Sequence, residues 1–260
     1  MEKSTLIGLI FGTASIVVGM ILKGAPMSAF NNPAAFLIII GGTLACLFNA
    51  FPMTELAKAP ALFKLIFKTS EGQDRGELIK LFVELSQVAR REGILALESR
   101  VSDIPDPFFR NGLSMVIDGM DPEFEQDVLD AELEIMEKRH ADARSIFSQA
   151  GTYAPTLGVM GAVVGLIAAL GHLDDVNELG HAIAAAFIAT ILGIFTGYVL
   201  WHPFANKLKL KSAEEVSYKR MIIEGIMSLQ SGDSPTQIEA KLMVFIPQSQ
   251  REAIKGGGNA

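Results

Sequence analysis

The chain has 260 residues, half of them apolar and only 20% charged, with a mean hydropathy of +0.35. Soluble domains carry about a quarter charged residues, so this balance excludes an ordinary soluble globule. A net charge of −7 gives no footing for nucleic acid, and the single cysteine, Cys46, allows no disulfide framework within the chain.

Crossing a bilayer takes about 20 predominantly apolar residues. Four runs, Thr5 to Leu22, Ala34 to Phe51, Thr152 to Gly171 and His181 to Trp201, approach that length without Asp, Glu, Lys or Arg. The first follows Lys3 and has the look of a secretory signal. A signal core is about 7 to 15 residues, however, and no soluble domain follows, so it reads as a span. Basic residues cluster after the second span (Lys58, Lys64, Lys68) and the fourth (Lys207, Lys209, Lys211), while the short connections hold only Lys23. The positive-inside rule then predicts a multi-pass inner-membrane protein with both termini in the cytoplasm.

Between spans two and three, Glu77 to Arg100 alternates apolar and charged positions with a helical period. The carboxylates of this region read as solvated helix faces. Asp106-Pro107, Asp121-Pro122 and Ser234-Pro235 are helix starts, a capping side chain followed by a proline suited to the first turn. From Pro122 the helical pattern meets no strong breaker before Gly151, which predicts that span three continues the helix below it. A similar continuation is predicted after span four, and Gly256 to Gly258 form a flexible tail. The expected fold is all-α: a first hairpin at 1–51, a helical cytoplasmic domain at 52–150, a second hairpin at 151–203 and a helical tail at 204–260.

In lipid, helices associate by close packing, which small residues permit. Span four has Ala185, Ala189, Gly193 and Gly197 at four-residue intervals, and span three has Gly161 and Gly165. Packing within the chain is one outcome; a face this long points further, to an oligomer or a bundle around a partner. Pro155 inside span three removes one backbone hydrogen bond and frees the Gly151 carbonyl, which predicts a kink or hinge. Thr156 and Thr190 either line a path or bond back to their own helices. Proton-driven machines use a titrating group in the membrane, and these spans hold no acid. Another polypeptide would have to supply it. His172 and His181 sit at the outer span edges and read as solvated loop residues. No phosphate-binding loop, dinucleotide fingerprint, paired-histidine metal motif or nucleophile elbow occurs, so no enzyme, cofactor or resident metal is expected.

Three segments resemble the flagellar stator branch (MotA) of the MotA/TolQ/ExbB proton-channel family: Arg90 to Glu98 (RREGILALE), Thr152 to Gly158 (TYAPTLG) and Trp201 to Ala205 (WHPFA). The chain is most similar to the branch from Gram-positive, Bacillus-like bacteria. The resemblance implies a ring of five copies around two copies of a MotB-like B subunit, whose membrane helix supplies an Asp and whose outer domain grips peptidoglycan. It places Pro155, Thr156 and Thr190 along the ion pathway, Pro203 at the cytoplasmic end of span four, and Arg90 and Glu98 against the rotor switch protein FliG. On a continuous helix those two charges lie about 12 Å apart and within about 80°, one charged edge; without the resemblance they read as solvated charges. Ala189 stands where sodium-type relatives have a second threonine, which favours the proton. Alternatives are an ExbB/TolQ-like envelope energiser, whose relatives usually have three spans, and a non-conducting membrane scaffold.

Overall fold

The computed structural model describes residues 2–25, 31–68, 74–171 and 173–256. His172 and the glycine tail from 257 onward lie outside these. Among the described residues every regular element is helical. The helices are α1 (Lys3–Leu22), α2 (Pro33–Ala50), α3 (Met53–Leu56), α4 (Ala59–Phe67), α5 (Arg75–Glu92), α6 (Glu98–Val101), α7 (Pro107–Ile117), α8 (Pro122–Leu170), α9 (Val176–Gln230), α10 (Pro235–Leu242) and α11 (Gln248–Gly256). Helices α1, α2, α8 and α9 are long and apolar enough to cross a membrane.

The predicted helix starts are present as capped termini. The Asp106 carboxylate accepts from Phe108 N–H, and Asp121 from the N–H groups of Glu123 and Phe124. Ser234 and Gln237 form a reciprocal capping box. As expected, α8 runs unbroken through span three and the polar sequence before it, 49 residues or about 74 Å. The continuation after span four is also present, with one π-helical turn at Thr196–Trp201. A second π turn, Leu37–Gly41, interrupts α2.

The chain forms two compact units, one from residues 1–69 and 140–210 and the other from 70–139 and 211–260. Residues 52–68, 140–150 and 204–210 thus fall with the membrane helices. The first unit leaves large apolar side chains of its spans exposed, among them Phe11 at 73% and Leu22 at 81%, which suits a lipid environment. One of its clusters gathers Leu47, Ile66, Phe147 and Phe204, with Phe204 edge-on to Phe63 and Phe67.

The second unit has a core of large side chains. Phe82 of α5 stacks on Phe109 of α7, ring centroids 4.6 Å apart, and its face lies against Gly225 of α9. A Cβ at Gly225 would sit 2.4 Å from the Phe82 ring, so only glycine admits this approach.

Continuous helix from Glu77 to Arg100 is not what the chain forms. Helix α5 ends at Glu92 because Gly93 adopts φ +87°, a conformation that L side chains rarely take, and a 3₁₀ turn, Ile94–Leu97, leads into α6. Arg90 and Glu98 therefore stand on different helices and do not share a helical edge. A second correction concerns the carboxylates. Glu125 of α8 is completely buried rather than solvated.

Candidate ion pathway and rotor-facing segment

The close contact between α8 and α9 in the membrane is built from residues that lack bulk. A Cβ on Gly193 would lie 2.7 Å from Gly158 Cα and 2.8 Å from the Ala154 carbonyl oxygen. Gly161 faces the Ala189 side chain, and Gly165 faces Ala186. Ala185 presents its carbonyl to Asn32, the residue that caps α2, whose side-chain N–H donates to it at 3.2 Å. The small-residue stripe is thus taken up within this chain, at helix contacts where the approach of two backbones admits nothing larger. The sequence left packing within the chain and contact with other chains both open, because spacing reports a contact face and not its partner.

Pro155 sits opposite Gly197. A Cβ there would be 2.6 Å from Pro155 Cγ and 2.8 Å from the Gly151 oxygen, the carbonyl whose helical bond the proline removes. Helix α8 nevertheless continues through this position. The His202 ring covers Gly151, where a Cβ would lie 2.8 Å from His202 Cγ. The sequence did not single out Gly151 and His202 as neighbours of Pro155; the missing hydrogen bond at Gly151 was the available signal.

Thr156 is exposed on α8 and its hydroxyl donates back to the Thr152 carbonyl at 3.4 Å, while Thr152 donates to Ser148 at 3.2 Å. Each hydroxyl is engaged by its own helix yet presented outward. Thr190 is half-buried and follows Ala189, which packs on Gly161. Gly161 lies six residues beyond Pro155, about 9 Å along α8. The structure therefore brings Pro155 together with Gly151, Gly197 and His202, and sets Thr190 further along the bundle.

Pro203 is exposed and borders a groove of about 340 Å³ between α1 and α9, together with Ser4, Tyr198 and Lys207. A proline there withholds an N–H from Val199, and the wide π turn just before it accommodates that loss. Lys207 closes one side of the groove through an ion pair with Glu2 at 2.7 Å. In the second unit Arg90 and Glu98 are both exposed, flanking Leu95, which is 72% exposed.

Taken together, these features define an all-helical, multi-pass membrane protein whose spans hold glycine-mediated contacts and no acid of their own. The MotA/TolQ/ExbB proton channel family model matches residues 100–221, and the model of the motility protein A N-terminal region matches residues 6–93. Motility protein A of Bacillus subtilis is 54% identical over 260 residues, which cover 100% of this chain and 96% of that protein. A chain of the flagellar MotAB stator complex from Bacillus subtilis superposes with a TM-score of 0.90 at 54% identity, covering 96% of this chain and 99% of that one. A chain of MotAB from C. jejuni gives 0.89 at 33% identity, covering 95% and 97%. The chain belongs to the MotA/TolQ/ExbB proton channel family.

Proposed function

We propose that this chain is the channel-forming A subunit of a bacterial flagellar stator, which works with a B subunit to convert ion flow into torque. The observation that carries the reading is the likeness to a flagellar MotAB stator complex over 96% of the chain at 54% identity. Physical chemistry supports it. The spans contain no Asp, Glu, Lys or Arg, so a titrating acid has to come from a partner helix, and a MotB-like subunit with a membrane Asp would supply one. Five copies of this chain would surround two such helices, anchored by the B subunit's peptidoglycan-binding domain, with both termini of the chain in the cytoplasm.

In this reading the ion is the proton. Protonation neutralises the partner's Asp and removes its desolvation cost; release toward the cytoplasm restores the charge and drives a step of the ring. Each charge crossing the membrane is worth about 2.3 kcal/mol per 100 mV, so a few protons suffice to move a ring against load. Pro155, Thr156 and Thr190 border the path, and Pro203 takes up the conformational change at the end of span four. Arg90 and Glu98 engage FliG from two separate helices, which makes the rotor contact a bent surface of two short segments.

Rotation of tethered cells tests the proposal. Deleting the gene should leave flagella intact and motionless, with rotation restored by the wild-type gene and not by Pro155→Leu. Replacing external sodium by potassium at constant proton motive force should leave rotation unchanged. Normal rotation in the deletion strain, with no second stator gene present, would refute the stator role; loss of rotation in potassium would refute the proton.

A further inference from the structure

A carboxyl group is buried in the second unit with nothing to bond. Glu125, in the first turns of α8, is 0% exposed, and neither of its carboxyl oxygens has a hydrogen-bond partner. It belongs to the core-facing stripe of its helix. Glu125, Leu129, Leu133 and Met136 recur at intervals of four, four and three residues, and all are buried.

The neighbours follow from Gly112 of α7. A Cβ there would lie 2.4 Å from Ile226 Cδ1 of α9 and 3.3 Å from Leu129 Cδ1 of α8, so the three helices meet at this level. One turn before Leu129 is Glu125, and one turn after Ile226 is Gln230. The Gln230 amide N–H donates to the Met120 carbonyl at 2.8 Å, which brings Gln230 to the turn that opens α8 and fixes the orientation of its amide. Its oxygen, Oε1, is likewise buried without a partner. Helical register thus sets these three buried acceptor oxygens toward the same end of the α7–α8–α9 contact, and among the described residues none of the three has a hydrogen-bond partner.

Among the described residues, those fixed at this level are uncharged: Gly112 of α7, Leu129 of α8, and Ile226 and Gln230 of α9, with Leu113, Val116 and Leu229 buried beside them in sequence. The cation of α7, half-buried Arg110, stands two residues before Gly112 and so on the opposite side of that helix. The adjoining turn adds two acids, Asp118 and Asp121, the latter engaged in capping α8. Asp233, past the end of α9, is tied to Lys241 at 2.9 Å. An ionised Glu125 would therefore be an uncompensated buried charge, whereas a proton on it supplies the donor that Gln230 Oε1 lacks.

We propose that Glu125 is a proton-binding site through which the second unit reads the pH of its compartment. With the proton bound, Glu125 donates to Gln230 and locks the first turns of α8 onto α7 and α9; without it, this corner opens to hydrate the carboxylate. Burial pushes the Glu125 carboxyl up from 4.5 to about 7, so release falls near neutrality. The folded form keeps a proton that the opened form loses between pH 4.5 and about 7. Stability consequently declines as pH rises through that window, and the whole loss is in place above it. With those two values, the opening equilibrium grows about twentyfold from about pH 5.5 to about pH 7.5.

Hydrogen exchange on the full-length chain in lipid nanodiscs tests this, with rates corrected for the intrinsic effect of pH. Peptides covering 118–136 and 224–231 should show about a twentyfold pH-dependent rise in opening. In Glu125→Gln and Glu125→Leu the same peptides should show a flat response. The protonated-carboxyl infrared band that titrates near neutrality should vanish in both variants. The leucine needs no hydrogen bond in an apolar slot, so it carries the comparison even if the glutamine variant folds poorly. Variants that keep the wild-type pH response, or a wild-type chain with none in these peptides, would overturn the proposal. The test involves no ion flux or rotation, so its result is independent of the stator reading.

Discussion

The two units hold their helices together with opposite kinds of side chain. In the membrane unit α8 and α9 meet glycine to glycine, with Gly158 and Gly193 so close that a methyl group on either would strike backbone. In the second unit the helices are separated by Phe82, Phe109, Ile222 and Ile226, all at 2% exposure or less. Water accounts for the difference. Where it surrounds the unit, removing large apolar side chains from it is the main driving force; in lipid that force is absent, and what remains is contact between backbones. Ion pairs occur in both units, the Lys241 network in the second and Lys58–Glu55 and Lys207–Glu2 in the first, the latter two outside the apolar runs.

The contrast can be broken at its strongest point first. Phe82→Ala should destabilise the second unit by about 3–5 kcal/mol, read as lost exchange protection in α5 and α7, because it empties a site that Gly225 cannot refill. Gly193→Ala should cost about 1–3 kcal/mol and abolish ion flux while the chain still inserts, because backbone on both sides has to move apart. Gly8→Ala is the control. Nothing lies within 4 Å of its added Cβ, so flux should be unchanged. Equal effects of the two substitutions would mean that close approach is not what holds α8 to α9. The smallest effect belongs to a surface pair. The Lys241 ammonium beside Asp233 holds that carboxyl below its usual range, so the pair stabilises above the ordinary aspartate pKa and is lost as pH falls through the depressed one. Asp233→Asn should then cost at most about 1 kcal/mol at neutral pH, and proteolysis at the α9–α10 turn should become less sensitive to acid.

Much of this was legible in the sequence. Four apolar runs, three capping-residue and proline pairs and a pattern with no strong breaker before Gly151 specify the spans, the helix starts and the long α8, because each is a local signal. The end of α5 was not legible as such. Apolar residues keep a helical period across Gly93, and only the positive φ at that glycine shows that the chain turns there. Both π turns escaped notice for a related reason: one extra residue in a turn leaves composition untouched. Glu125 was hidden by its charge, although its spacing to Leu129, Leu133 and Met136 places it on the buried face. For the proposed pathway, the sequence supplied Pro155 and the small-residue stripe but not their mutual contact, since pairing between helices leaves no mark on either one.

The core of the second unit also imposes an order on biosynthesis. Leu78, Phe82, Phe109 and Leu129 come from one side of the third and fourth spans, while Ile222, Ile226, Leu229 and Ile238 come from the other. A ribosome adding about 5–20 residues each second takes roughly 5–20 s to travel from residue 139 to residue 229, and both later spans must enter the bilayer in that interval. Until then the first half of the core has no counterpart. For that time the nascent chain exposes an apolar surface to water, and its protection rests with whatever escorts it during insertion.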